Sequence, residues 1–184
     1  MIAIMSYDLI KLIKDMHGQE HSLHEGVFLF HQGDVVISLF MIVTGCVELI
    51  RHQASGNVIT IQRAHYNSLL AEASVFSDRY HCDAITAKSS VVISISRQQV
   101  RLRLQHDPDF AEAWAEHLAR ELQWTRLRCE ILSLKTVTAR LDLWLSWHEG
   151  NLPLKGEWKT VADQIGVSPE ALYRELAKRR HGNA

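Results

Sequence analysis

The sequence predicts an α+β chain in three parts. These are an N-terminal double-stranded β-helix roll (1–106), one long helix (107–135) and a small helical C-terminal domain (136–184). Three observations carry the prediction. Five of the nine glycines (18, 26, 33, 45 and 56) fall in the first third, and glycines spaced between short apolar runs mark strands and turns. From Phe110 to Leu134 there is neither glycine nor proline, and apolar residues recur with helical spacing. Gly150, Gly156 and Gly166 then break the remainder into short helices.

Taken in order, Met1 to Met5 are apolar but lack a basic leader and a small-residue cleavage site. Asp8 and Lys11 follow on a short helix, so no signal peptide is expected. Val47 and Leu49 share one face of a strand, Ala54-Ser55-Gly56-Asn57 turns the chain, and Ile59 and Ile61 return as a hairpin. Val91, Ile93 and Ile95 alternate with Val92, Ser94 and Ser96 as a half-buried strand. About eight short strands are expected between Ser22 and Ser96. The long helix starts at Asp107-Pro108, where proline's missing N–H costs nothing. It carries two apolar stripes, Phe110, Trp114, Leu118, Leu122 and Trp124, Leu127, Ile131, Leu134. One stripe is expected to cover the roll and the other to meet a second copy of the helix, making a homodimer. Helices follow over Thr136–Trp147, Lys159–Ile165 and Pro169–Arg180.

Composition narrows the function. With 184 residues, 47% hydrophobic and 22% charged, the chain is globular rather than disordered. Twenty Lys and Arg against 21 Asp and Glu exclude a uniformly basic nucleic-acid coat while leaving room for a local patch. Cys46, Cys82 and Cys129 form no disulfide framework, which points to a reducing, cytoplasmic setting. The most apolar stretch, Val35 to Ile50, is too short to span a membrane and contains Glu48. No Ser/His/Asp order, phosphate loop or carboxylate pair suggests an enzyme, and no cofactor is expected.

The segment from Thr160 to Arg174 has the pattern of a helix-turn-helix. Ala162 lets two helices approach, Gly166 supplies a turn residue tolerating positive φ, and Val161, Ile165, Val167 and Leu172 make a small core. Ser168 suits the N-cap and Pro169 the first turn of the second helix. That helix, placed in a major groove, offers Glu170 to a cytosine amino group and Arg174 to guanine, with Tyr173 beside them. Lys159, Thr160 and Ser168 fall near phosphates. From 151 to 184 there are six bases against four acids.

In this order the chain resembles the Crp/Fnr transcription regulators, from about His21 to Arg180. The resemblance is carried by Phe30-His31-Gln32-Gly33-Asp34, Ile42-Val43-Thr44-Gly45-Cys46-Val47-Glu48, Glu72 with Val75-Phe76, and Gly166-Val167-Ser168-Pro169-Glu170 with Arg174. It implies a cyclic-nucleotide-binding-like roll, a dimerisation helix, and a dimer on a pseudo-palindromic site of double-stranded DNA, with RNA polymerase as a further candidate partner. Glu170 and Arg174 match the family's base-reading residues.

The effector cassette departs from that pattern. The family's Gly-Glu-Leu is Ala71-Glu72-Ala73, its phosphate-holding Arg is Cys82, the following hydroxyl is Asp83, and its adenine-contacting Thr-Ser is Thr125-Arg126. A carboxylate in place of that hydroxyl repels a phosphate, so a degenerate pocket that does not take cyclic AMP is expected. Pro169 and Glu175 also depart from the family's recognition helix, and the family's wing beyond Arg180 is expected to be shortened. The competing reading is a dimeric ligand-, metal- or redox-sensing module, using His81 and Cys82, whose C-terminal domain binds a protein partner.

Overall fold

The structure is a computed structural model and describes residues 7–182. The expectations for Met1–Met5 and for a wing after Arg180 lie largely outside those residues. Two compact units divide within the long helix, one running to Leu118 and the other starting at Ala119.

The first unit begins with helix α1 (Tyr7–Lys14) and six strands: β1 (Gln19–Leu23), β2 (Phe28–Phe30), β3 (Ser38–His52), β4 (Val58–Ala64), β5 (Leu69–Leu70) and β6 (Asp83–Ser96). A 3-10 turn, Glu72–Ser74, precedes β6, and helix α2 (Arg97–His106) follows it. The strands run antiparallel in the order β1-β6-β3-β4, with β2 also on β6 and β5 also on β3. The expected hairpin is β3–β4, with Val47 opposite Ala64 and His52 opposite Val58. A bulge shifts the register between Leu49 and Ile50, and Ile59 beyond it is exposed.

Six strands replace the expected eight because β3 and β6 are long, at 15 and 14 residues. Between Ile42 and Val47, β3 shifts register against β6 three times. Gly45 sits among these bulges at φ 89°, and a Cβ there would overlap Ser90 and the Ser89 carbonyl. Bulges bend a strand without ending it, so one strand spans what the glycine spacing suggested were two.

Both faces of these strands are buried. Phe40, Ile42, Val47, Leu49 and Val92 point into the roll, beside Phe30, Tyr80 and Cys82. Leu39, Met41 and Ile95 point outward, where Leu9 and Ile13 of α1, Val100 of α2, and Phe110 and Trp114 cover them. The strand at 91–96 is half-buried as expected, with Val92 in the inner core, Ile95 in the outer one and the other four residues half-buried.

Helix α3 (Pro108–Ser133) is capped by Asp107, whose Oδ1 accepts the Phe110 N–H at 3.0 Å while Oδ2 takes Arg103 Nε at 3.0 Å. Its first apolar stripe enters the outer core of the roll through Trp114, with Leu118 packed at the edge and Leu122 exposed.

The second unit contains the end of α3 with α4 (Val137–Trp147), α5 (Trp158–Gln164) and α6 (Pro169–Gly182). Leu127 and Ile131 pack with Leu141, Trp144, Val161, Ile165, Leu172 and Leu176. The second stripe is thus closed by the chain's own helices, correcting the expectation that it meets a second copy. The open residues of α3 lie elsewhere: Leu122 and Leu132 are 51% and 41% exposed, with Thr125 and Cys129 exposed on the same side. Thr136 caps α4, its hydroxyl accepting the Ala139 N–H at 3.1 Å.

Candidate nucleic-acid interface and effector pocket

Helices α5 and α6 meet as the sequence anticipates. Ala162 is fully buried at their approach, and Gly166 takes φ 65° in the turn. Val161, Ile165 and Leu172 are at most 2% exposed, and Val167 packs at their edge. Arg140 of α4 braces the turn from outside. Its guanidinium donates to the carbonyls of Ile165 (3.1 Å) and Gly166 (2.9 Å), and to those of Leu132 (3.0 Å) and Leu134 (2.8 Å) at the end of α3.

The outer face of α6 is polar and open. Glu170 and Arg174 are exposed one turn apart, and Tyr173 is 41% exposed beside them. The Glu170 carboxyl lies below its usual range, held by its own backbone N–H, by the Ser168 hydroxyl and by Arg174. It is therefore an anion, ready to accept a hydrogen bond. The Ser168 hydroxyl also accepts the Ala171 N–H at 3.2 Å, so it is committed to capping rather than free for a phosphate. Lys159 is exposed on α5 and Thr160 is half-buried.

Glu175 turns inward without an apolar partner. Arg179 meets its Oε1 at 2.9 Å, meets Asp142 at 2.7 Å, and donates to the Thr138 carbonyl at 3.2 Å, which compensates the buried charge. Beside α6, a cleft of about 370 Å3 is lined by Lys155, Trp158, Tyr173, Leu176, Ala177 and Arg180. No repeating pattern in the sequence marks Lys155, Trp158 or Arg180 as neighbours, and none marks Arg140 as the brace.

In the roll, Glu72, Cys82 and Asp83 do come together. Ala71, standing where the family has glycine, holds φ 68° just before the 3-10 turn. Cys82 is 1% exposed within the inner core, and burial pushes its thiol up to about 11, with Asp83 and Glu72 raising it further and Arg51 opposing them. Such a thiol stays protonated near neutrality and lacks the thiolate character of a redox sensor. Asp83 is engaged by the Gln32 N–H at 2.8 Å, by His31 Nδ1 at 3.4 Å and by His52 Nε2 at 3.8 Å.

His81 hydrogen-bonds Ser74 Oγ through Nδ1 at 3.2 Å, and burial, then Arg51, lower its pKa. Arg51, which the sequence reading missed, donates to the His81 carbonyl at 2.7 Å. The phosphate arginine's place is filled by a buried thiol, Glu72 and Asp83 stand close by, and the nearby guanidinium is bonded to backbone. Thr125 and Arg126 are exposed on α3 and belong to the second unit. Among the described residues no group of three or more His, Cys, Asp or Glu could hold a metal ion, and no helix is long and apolar enough to cross a membrane.

Comparison with known proteins gives these residues their context. The cyclic nucleotide-binding domain family matches residues 20–107. The chain is 26% identical over 171 residues to the cAMP-activated global transcriptional regulator CRP of Salmonella typhimurium, covering 87% of this chain and 81% of that one. FixK2 from Bradyrhizobium japonicum shares the fold with a TM-score of 0.71 at 16% identity, over 91% of this chain and 87% of that one. The c-di-GMP responsive global regulator CLP of Xanthomonas campestris does so at 0.64 and 17% identity, over 97% and 93%.

Proposed function

We propose that this chain, whose residues 20–107 match the cyclic nucleotide-binding domain family, is a transcription regulator of the Crp/Fnr type: a homodimeric, cytoplasmic DNA-binding protein whose effector pocket no longer takes cyclic AMP. The observation that carries the reading is the outer face of α6, where ionised Glu170 and Arg174 stand exposed one turn apart above a packed helix-turn-helix. In a major groove, the carboxylate accepts from a cytosine amino group and the guanidinium pairs with guanine. Lys159, Thr160 and Tyr173 border that contact. RNA polymerase is the second partner such a regulator addresses.

The dimer seam is the open side of α3. Leu118, Leu122, Thr125, Cys129 and Leu132 follow one another at intervals of four and three, the spacing with which two helices pack side by side. Two copies related by that seam present two α6 helices to half-sites about one helical turn apart.

The roll would then serve as a folded support rather than a nucleotide sensor. Cys82 in the inner core and Asp83 bound to Gln32, His31 and His52 support this. The test is selection of bound sequences from a random duplex library, with metal-free protein and no effector, at about 0.1 M salt. The expected result is a two-fold motif. If only added cyclic AMP restores enrichment, the pocket reading is wrong, and if no condition gives enrichment, DNA reading itself is wrong. Glu170→Ala and Arg174→Ala should each relax preference at one base pair of the half-site by about tenfold, with little change on random DNA.

A further inference from the structure

The cleft between the start of α5 and the outer face of α6 has no part in that reading. We infer that it seats a DNA backbone phosphate and its deoxyribose beside the bases α6 reads, with Lys155 and Arg180 as cations and Trp158 and Tyr173 as walls. The inference rests on the DNA-binding reading and adds to it the residues that anchor the head on the duplex.

Charge and shape both suit this occupant. Among the described residues that line the cleft, two are cationic, none is acidic, and the others are apolar or aromatic. Glu157 is adjacent in sequence but is not part of the lining. Lys155 and Arg180 are both exposed, so each can meet an oxygen arriving from solvent.

Arg180 is ordered before anything binds. Its guanidinium carbon lies 5.4 Å from the centroid of the Trp158 ring, and that ring is fixed by its Nε1 donating to the Pro153 carbonyl at 3.0 Å. A cation held over an aromatic face gives up less side-chain freedom on binding a phosphate than a free surface arginine does. The Trp158 and Tyr173 rings lie 5.7 Å apart and leave an apolar wall for a sugar, while Ala177 is too small to fill the space between Tyr173 and Arg180.

Position along α6 supplies the second argument. Glu170, Tyr173, Ala177 and Arg180 recur at steps of three, four and three, so they share one face of the helix. From 170 to 180 an α-helix rises about 15 Å. A major groove is about 12 Å wide. With Glu170 at the base edges, Arg180 therefore reaches the rim of the groove, where the phosphates lie.

The experiment measures binding of the full chain to a fluorescein-labelled duplex of arbitrary sequence, about 30 base pairs long, between about 50 and 200 mM salt. Lys155→Gln, Arg180→Gln and their double variant are compared with the unaltered chain, with Lys88→Gln of the roll as a control and circular dichroism reporting the fold. Each substitution removes one cation from both protomers of the dimer, so the slope of log affinity against log salt should become shallower by about 1.8 in each single variant and about 3.6 in the double, with no change for the control. On the duplex recovered by selection, the same variants should lose affinity by the same factor as on arbitrary DNA. Unchanged slopes in folded Lys155 and Arg180 variants would overturn this inference and leave the DNA reading standing. Absence of any salt-dependent binding by the unaltered chain would overturn both.

Discussion

Single residues show where this sequence has no freedom. Gly45 has φ 89° and its missing Cβ faces the backbone of the neighbouring strand, so neither conformation nor space admits a side chain. Gly45→Ala should cost about 3 kcal/mol or more in denaturant unfolding, since the overlap is with backbone that cannot turn aside. Two histidines are expected to make the roll sensitive to acid. Burial lowers the pKa of His65 and His81, helped by Arg63 and Lys88 at the first and Arg51 at the second. Because the folded pKa lies below the unfolded value, the unfolded chain binds more protons. Stability from these groups is therefore complete above about pH 6.5 and falls as pH drops toward the lowered folded values. Urea midpoints between pH 7 and 5 should show this decline, and His81→Gln should flatten part of it. The sequence made Gly166 and Ser168 legible because a turn and a cap each demand particular residue types at fixed offsets. Arg51 and Arg180 were not legible, since a lone arginine's partner depends on how distant elements meet.

Elements were legible wherever one rule governs their length. Asp107 and Thr136 announced the starts of α3 and α4, and both side chains do cap them. Thr136→Ala should lower thermal stability by about 1 kcal/mol, with the loss confined to the helical C-terminal unit. Strand number was misjudged for a physical reason. Glycine signals a change of direction but does not say whether the strand ends or bends, and at Gly45 it bends. The two stripes of α3 were visible as period, yet periodicity cannot name what covers a stripe. Leu127 and Ile131 meet the chain's own Leu141 and Leu172, so the side of α3 left open is the less apolar one bearing Leu122, Thr125 and Cys129.

At the scale of the whole molecule, the proposed function requires that side of α3 to be paired. Leu122→Glu places a carboxylate from each copy at the seam, where loss of water makes their repulsion costly. Sedimentation equilibrium should find the unaltered chain dimeric and this variant monomeric, with affinity for a two-fold duplex reduced to that of a single half-site. The brace made by Arg140 has a mechanical consequence. Four carbonyls, two closing the long helix and two at the α5–α6 turn, converge on one planar group. In the proposed reading, a twist at the end of α3 is passed to the α5–α6 turn through this one side chain.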